Sequence, residues 1–189
     1  MQYKLKYVNK NSAQANLEVK ELLVLFYVVE MAKHFNWSVA YRYQKVLAAA
    51  LMIETGHAKM LIAYNKHGKY CGMAITAKTD SPRIRRLEAL LVSDAYRGMG
   101  VAKALIKEIK QSADLHAFAT PNSASWYLAN GFREVGQQAD EGTIEMFTAT
   151  YKPEYSFKHP NILMDESDWK VIRGIEELER REDSPATVS

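Results

Sequence analysis

The sequence is poor in cysteine and has no long apolar run. Its single cysteine, Cys71, cannot form an internal disulfide, which is typical of a reducing compartment and excludes a small secreted scaffold held by disulfides. The most apolar stretch, residues 22–29, is bounded by charged side chains and falls well short of the roughly 20 residues that cross a bilayer. The first residues, MQYKLKYVNKNSAQ, lack the apolar core and cleavage site of a signal peptide. We therefore expect a cytoplasmic protein without a membrane anchor.

An excess of charge of one sign is also missing. The 25 basic and 22 acidic side chains leave a net charge of +3, which by itself does not indicate nucleic-acid binding. Hydrophobic residues make up 48% of the chain and charged residues 25%, the usual shares of a globular protein. This composition argues against a disordered or low-complexity chain.

The period of the hydrophobic pattern changes along the chain. Two helices are predicted first, one through residues 17–35 and one over 41–54, with a break at 36–38. The predicted order then continues with strands at 59–65, 70–79 and 83–92, a helix at 98–112, a strand at 114–119, a helix at 122–130, and strands at 132–137 and 143–152. Such an order favours an α/β or α+β fold, with helices on the faces of one sheet.

The composition shifts after Pro153. We expect a main domain at 1–152 and a C-terminal extension at 153–189 with one helix over 165–181 and a frayed tail. The predicted helix places apolar side chains on one stripe and acidic side chains four residues before arginines. The extension is therefore expected to pack on the main domain or on a partner chain, which leaves a homodimer open.

The segment 97–102, RGMGVA, carries the clearest chemical signal. It lies between an apolar strand end and an amphipathic helix, where glycines let a ligand approach the backbone and the first helical turn offers unpaired N–H groups. This combination suits a phosphate, and the guanidinium of Arg97 adds a positive charge with paired N–H donors. A dinucleotide fingerprint would need glycine or alanine where Lys103 stands, and the Gly-Lys-Ser/Thr of a P-loop is absent from the sequence. A plain helix cap is the alternative.

The context of this segment resembles the GNAT superfamily of N-acetyltransferases. Its signature, Arg/Gln-x-x-Gly-x-Gly/Ala after the fourth strand, is matched at every fixed position by 97–102. A second element, NSASWYLANGF at 122–132, is similar to the family's later helix, which ends in Tyr-x-x-x-Gly-Phe. The resemblance covers roughly residues 3–152. The proline that many members carry before the signature is missing, with Asp94 near its place, and residues 153–189 have no counterpart in the minimal fold.

The resemblance implies a mixed, mostly antiparallel sheet with helices on both faces. Its fourth and fifth strands move apart at one end, and the gap between them, the splay, would bind acetyl-CoA as co-substrate. The loop amides would hold the pyrophosphate, and backbone groups of two strand residues would pair with the pantetheine arm as an added strand. Lys103 would reach an outer phosphate, with a solvated helix lysine as the alternative. Asn122 lies closer to the helix tyrosine than in many members. The cofactor-binding residues so implied are Leu91, Val92, Arg97, Gly98, Met99, Gly100, Val101, Ala102, Lys103 and Asn122.

The resemblance also implies two catalytic residues. An acceptor amine with a pKa near ~10.4 needs a base at neutral pH, and Glu88 stands on the fourth strand where many members carry an acidic residue. A carboxylate paired with Arg85 or Arg86 is the alternative. Tyr127 corresponds to the family's tyrosine, whose hydroxyl protonates the departing thiolate. The alternative role for Tyr127 is that of an aromatic side chain packed in the core. A backbone N–H near Val92 would polarise the thioester carbonyl.

The acceptor amine is not identified by the sequence. The family's first two helices shape the acceptor site, which implies Trp37, Tyr41 and Tyr43 as lining residues. The five histidines lack metal-ligand spacing, so we expect no metal. Two other functions stay open: a catalytically idle domain of this fold that binds CoA and serves as an interaction module, and a nucleic-acid-acting factor that uses the basic residues 83–86 and the C-terminal helix.

Overall fold

Two compact units make up the computed structural model, which describes residues 3–8, 13–138, 142–150 and 154–182. Unit 1 comprises residues 1–17 and 52–158, and unit 2 comprises residues 18–51 and 159–189. The domain boundary expected after residue 152 stays a prediction. The α-helices are α1 (Ala13–Val24), α2 (Val39–Glu54), α3 (Val101–Lys110), α4 (Pro121–Ala129) and α5 (Glu166–Glu182). Among the described residues, no helix is both long enough and apolar enough to cross a membrane.

A seven-stranded sheet forms the centre of unit 1 in the part of the chain that the structure describes. Its strands are β1 (Lys4–Tyr7), β2 (Ala58–Tyr64), β3 (Tyr70–Lys78), β4 (Ile84–Val92), β5 (Asp114–Ala119), β6 (Arg133–Gln138) and β7 (Thr143–Phe147), in the spatial order β1-β2-β3-β4-β5-β7-β6. Of the described strand pairs, β4–β5 is parallel and the others are antiparallel. This topology confirms the predicted mixed, mostly antiparallel sheet.

Two helices pack on the sheet of unit 1. Helix α3 contacts β2, β3 and β4, while α4 contacts β5, β6 and β7. The predicted amphipathic pattern of α3 is confirmed, because Val101, Leu105 and Ile109 are buried whereas its lysines are exposed. One core cluster joins both helices to the strands, and it includes Leu61, Leu87, Val101, Leu105, Leu115, Tyr127 and Phe132.

Unit 2 is helical and is organised around a buried arginine. Arg42 of α2 donates to the carbonyl oxygens of Val28 and Trp37 and forms two hydrogen bonds of 2.9 Å with the Glu179 carboxylate of α5. The Arg42 side chain is only 5% exposed. A buried guanidinium is costly without a partner, so the bidentate bond to Glu179 couples α5 to α2.

Replacing Glu179 by glutamine is expected to destabilise unit 2. The amide keeps the side-chain shape but leaves the buried Arg42 charge without its counter-ion, so the free energy of unfolding should fall by about 1–2 kcal/mol. Urea unfolding followed by tryptophan fluorescence measures the loss. Glu177→Gln is the matched control, since Glu177 pairs with Arg181 on the same helix at a site where both side chains are more than half exposed. That control should change stability by less than about 0.5 kcal/mol, and equal losses in both variants would contradict the account.

Three elements differ from the sequence-based expectation. Strand β1 was not predicted, because four residues at a sheet edge carry too short an alternation to be recognised. Helix α1 gives way to a π-helical turn at Leu25–Glu30 and a 3-10 turn at Met31–Lys33, where a continuous helix was expected. Strand β7 ends at Phe147, whereas a strand to residue 152 was expected; residues 151 and 152 lie outside the described part of the chain. The Thr148 hydroxyl accepts from the Leu115 N–H and donates to Asp114, which replaces the next ladder bond.

Candidate active site

The glycine loop connects β4 to α3. Gly98 and Gly100 both have positive φ, +74° and +84°, and Gly100 is the N-cap of α3. The bond from Ala104 N–H to Gly100 O, 3.0 Å long, closes the first helical turn, so the N–H groups of the residues before it point outward from the helix start. A Cβ atom on either glycine would have no described atom within 4 Å. The start of α3 therefore presents amides and the positive helix end to open space, whereas the Arg97 and Met99 N–H groups donate within the loop to Asp94 O and Tyr96 O.

Neighbouring side chains hold this loop in place. The Tyr3 hydroxyl donates to Met99 O at 2.8 Å, and Asn65 donates to the Tyr96 hydroxyl at 2.8 Å. Arg97 pairs with Asp94 at 2.9 Å, and both side chains are more than half exposed. Asp94 stands where many members of the resembled family carry proline. An ion pair at the surface is weak, so the Arg97 guanidinium can exchange this partner for an anion.

Strands β4 and β5 diverge beside the loop. Their described ladder runs from Ile84–Asp114 to Leu87–Ala117, although β4 continues to Val92. The Ser93 N–H donates to Cys71 O of β3, so by strand alternation Leu91 also turns its peptide groups toward β3. The peptide groups of Val92 consequently point to the opposite side, from which β5 has diverged.

Glu88 lies where this divergence begins. Ile75 pairs with Ala89 and Thr76 with Leu87, so Glu88 is the extra residue of a β-bulge. A bulge bends its strand and redirects its side chain. Leu87 and Ala89, on either side of Glu88, are buried. The face predicted for Glu88 stays a prediction, because the bulge interrupts the alternation at this residue.

The Glu88 carboxylate has a cationic neighbour. Its Oε1 lies 2.7 Å from Arg86 Nε, and the Glu88 side chain is only 5% exposed. The Arg86 guanidinium is in turn held between two phenyl rings, 4.8 Å from the centroid of Phe118 and 4.8 Å from that of Phe157. The pairing of Glu88 with an arginine, which the sequence left as an alternative, is present in the structure.

Tyr127 is a core residue of α4. It is 8% exposed and packs edge-to-face on Phe132, with 5.0 Å between ring centroids, and on Trp126 at 5.2 Å. Burial raises the pKa of the Tyr127 phenol well above its ordinary value, so its hydroxyl is protonated at neutral pH. The Tyr127 phenol therefore cannot serve as a base at that pH, and its role as a proton donor stays a prediction. Asn122 lies in the first turn of the same helix and is exposed.

A polar cavity on unit 1 was not predicted. His116 is 4% exposed; its Nδ1 bonds the Tyr155 hydroxyl and its Nε2 lies 3.1 Å from Glu145 Oε1. Burial raises the pKa of Tyr155 to about 12, which keeps this hydroxyl protonated. The cavity has a volume of about 510 Å³ and is lined by Arg86, His116, Glu145, Phe147, Glu154, Tyr155 and Phe157. Its residues come from separate strands and from the segment 154–158. The one sequence signal was the alternation of β5, which puts His116 opposite the apolar Leu115 and Ala117.

The aromatic residues implied for the acceptor site belong to unit 2. Trp37 stacks on Phe35 at 4.5 Å and meets Tyr41 edge-to-face at 5.1 Å. Burial, and then the Asp168 carboxylate, raise the pKa of Tyr43. These contacts form an aromatic cluster within unit 2, and its role toward an acceptor stays a prediction. Among the described residues, no group of three histidine, cysteine or acidic side chains is arranged to hold a metal ion.

Comparison with known families gives one match. The family model described as the acetyltransferase (GNAT) domain matches residues 7–152, which is most of the chain and contains the glycine loop, Glu88 and Tyr127. A comparison with curated protein sequences found no match.

Solved structures with the same architecture come from several organisms. Escherichia coli ElaA is 16% identical, with a TM-score of 0.61, and the match covers 78% of this chain and 100% of that chain. A structure from Corynebacterium glutamicum described as histone acetyltransferase HPA2 and related acetyltransferase is 18% identical, with a TM-score of 0.59 and coverages of 81% and 99%. The PaiA N-acetyltransferase of Thermoplasma acidophilum, solved in complex with coenzyme A, is 16% identical, with a TM-score of 0.56 and coverages of 78% and 98%. At these identities the likeness shows the fold.

Proposed function

This chain belongs to the GNAT acetyltransferase family, and from that premise we propose that it transfers an acetyl group from acetyl-CoA to an acceptor amine. The acceptor nitrogen attacks the thioester carbon in a ternary complex, the C–N bond forms, the C–S bond breaks, and no covalent enzyme intermediate is made. The observation that carries the proposal is the open glycine loop at the start of α3, directly beside the strand edge from which β5 has diverged.

The proposed cofactor site follows from the backbone. Of the amides predicted at 97–102, those of Gly98, Gly100, Val101 and Ala102 are proposed for the pyrophosphate together with the positive end of α3, because the Arg97 and Met99 N–H groups already donate to Asp94 O and Tyr96 O. Arg97 and Lys103 are the nearby cations. The pantetheine arm carries amides and is extended, so it can pair with the free edge of β4 as an added strand. Because Leu91 turns its peptide groups toward β3, the direct pairing falls to Val92, and Leu91 contributes by holding that edge. Asn122, in the first turn of α4, is the remaining residue proposed to contact the cofactor.

The proposed chemistry uses two side chains. Glu88, at the bulge where the strands part, takes the proton that the acceptor ammonium must lose before it can attack. The ion pair with Arg86, 2.7 Å from Nε to Oε1, fixes the orientation of the carboxylate. Tyr127 is protonated at neutral pH and gives its proton to the leaving thiolate. The Val92 N–H, on the free edge, is the proposed donor to the carbonyl oxygen.

Tyr127→Phe tests the proton donor. The substitution keeps the ring and its packing on Phe132 but removes the hydroxyl. A thiol with a pKa near ~8.5 is a good leaving group, so we expect kcat to fall roughly 10- to 100-fold while the acetyl-CoA Kd changes by less than about twofold. Steady-state kinetics and calorimetry measure the two effects. An unchanged kcat would mean that Tyr127 serves the core alone.

An amine-dependent release of CoA from acetyl-CoA tests the proposed function as a whole. Purified protein, acetyl-CoA and a panel of primary amines are incubated between about pH 7 and pH 9, and the free thiol is measured. Release that depends on both the amine and the protein supports the transferase. Binding of acetyl-CoA without amine-dependent release would favour the second candidate, a CoA-binding interaction module, for which the Arg86–Glu88 ion pair is a structural contact. A cytoplasmic location and a homodimer remain predictions.

A further inference from the structure

Two of the side chains that line the cavity on unit 1, Glu145 and Glu154, are acidic. Arg86 also lines it, and its Nε lies 2.7 Å from Oε1 of Glu88, which is not among the lining residues. Because this guanidinium already has an anionic neighbour, a ligand with positive charge is favoured here over one with a carboxylate.

Aromatic rings form much of the remaining wall. Phe147, Tyr155 and Phe157 line the cavity. The guanidinium of Arg86 already lies over the rings of Phe118 and Phe157, so aromatic faces at this site do hold a cation. An ammonium group on an alkyl chain suits such a wall, because the chain contacts the rings and the charge interacts with their faces.

The cavity lies at the base of the splay. Arg86 and His116, two of its residues, are neighbours in the β4–β5 ladder, and the ladder ends one pair further on, at Leu87–Ala117. Glu88, the proposed base, follows immediately. An amine bound in the cavity would therefore lie at the end of the β4–β5 ladder, where the proposed base stands.

Part of the wall lies outside the family match. Tyr155 and Phe157 belong to the segment 154–158, beyond residue 152 where the family model ends. The segment is fixed on unit 1, since the Ser156 N–H donates to Asp80 Oδ1 at 2.8 Å and the Asp80 N–H donates to Ser156 O at 3.3 Å.

On the basis of the proposed function, we propose that this cavity binds the acceptor and selects an aliphatic diamine or polyamine. One amino group loses its proton to Glu88 and attacks the thioester. A second, still protonated, is held by Glu145 and Glu154 against the aromatic wall. The product is the monoacetylated amine, with CoA leaving as the thiol.

Binding to the CoA-loaded protein tests this selection without requiring turnover. Putrescine, butylamine and γ-aminobutyrate share a four-carbon chain and one amine, and they differ in the group at the other end. By calorimetry, putrescine should bind at least about tenfold more tightly than either of the others. Equal affinities, no putrescine binding, or a preference for γ-aminobutyrate would overturn the inference. A preference for γ-aminobutyrate would indicate that Arg86 binds the carboxylate of the ligand.

A pair of variants assigns the effect to the cavity. Glu145→Gln should weaken putrescine binding by about fivefold or more and leave butylamine binding within about twofold. Glu134→Gln, on the exposed surface of β6, is the control and should change neither. Undiminished putrescine binding to Glu145→Gln would also overturn the inference.

The two proposals fail separately. Acetyl transfer to butylamine as efficient as to putrescine would remove the diamine selection and leave the transferase standing. Putrescine binding that depends on Glu145, in a protein that releases no CoA with any amine, would remove the transferase and leave a diamine site.

Discussion

Gly100→Glu is expected to weaken acetyl-CoA binding about a hundredfold. The substitution places a carboxylate over the amides that we propose for the pyrophosphate, and a like charge at that position opposes a ligand with several phosphate charges. We expect the Kd to rise by about a hundredfold, which corresponds to about 2.7 kcal/mol. Calorimetric titration with acetyl-CoA measures the change. A Kd within about threefold of the unsubstituted protein would contradict the proposed pyrophosphate site.

Backbone strain must be separated from the loss of the site. Gly68, in the turn between β2 and β3, is a matched control because its φ is +74° and a Cβ on it also has no described atom within 4 Å. Gly68→Glu therefore introduces the same charge and comparable left-handed strain, roughly 1–2 kcal/mol, outside the proposed site. It should lower stability about as much as Gly100→Glu and leave acetyl-CoA binding unchanged.

Glu88→Gln is expected to lower kcat/KM by roughly 10²- to 10⁴-fold at neutral pH. Glutamine has the same shape and can occupy the same place beside Arg86, while the proton acceptor is lost. Acetyl-CoA should bind as before, because the proposed cofactor contacts are made by other residues. Steady-state kinetics with a reactive amine acceptor, together with calorimetry, give both quantities.

The pH dependence of the variant tells a lost base from a lost ion pair. Without a base, the rate depends on the small fraction of acceptor amine that is already neutral. That fraction rises about tenfold per pH unit below an amine pKa near ~10.4, and the deficit of Glu88→Gln should shrink accordingly as the pH rises. A deficit that stays constant between about pH 7 and pH 9, with a lowered thermal stability, would mean that Glu88 acts only as the structural partner of Arg86.

Local patterns were sufficient to predict much of the fold. The amphipathic spacing of α3 and the glycines before it predicted the loop and the helix, since both signals lie within a few consecutive residues. The bulge at Glu88 was not predictable, because it depends on the register of β3 against β4 and not on β4 alone. The role of Thr148 in ending β7 likewise depends on its contact with Leu115.

The polar cavity shows where sequence reasoning stops. His116 was set aside because no metal ligand stands near it in sequence, yet it meets Glu145 and Tyr155 through the β5–β7 pairing and the segment 154–158. Arg86 was grouped with other basic residues of the strand start, although Phe118 and Phe157 enclose it. Such contacts are between residues far apart in the chain, and a single sequence holds no signal for them.

Titration of the purified protein with acetyl-CoA by calorimetry tests the central claim most directly, with free CoA and NADH as controls. The account predicts saturable binding of acetyl-CoA and of CoA, because both carry the pyrophosphate and the pantetheine arm, and no binding of NADH. Absence of acetyl-CoA binding would contradict it and would leave the glycine loop as a helix cap.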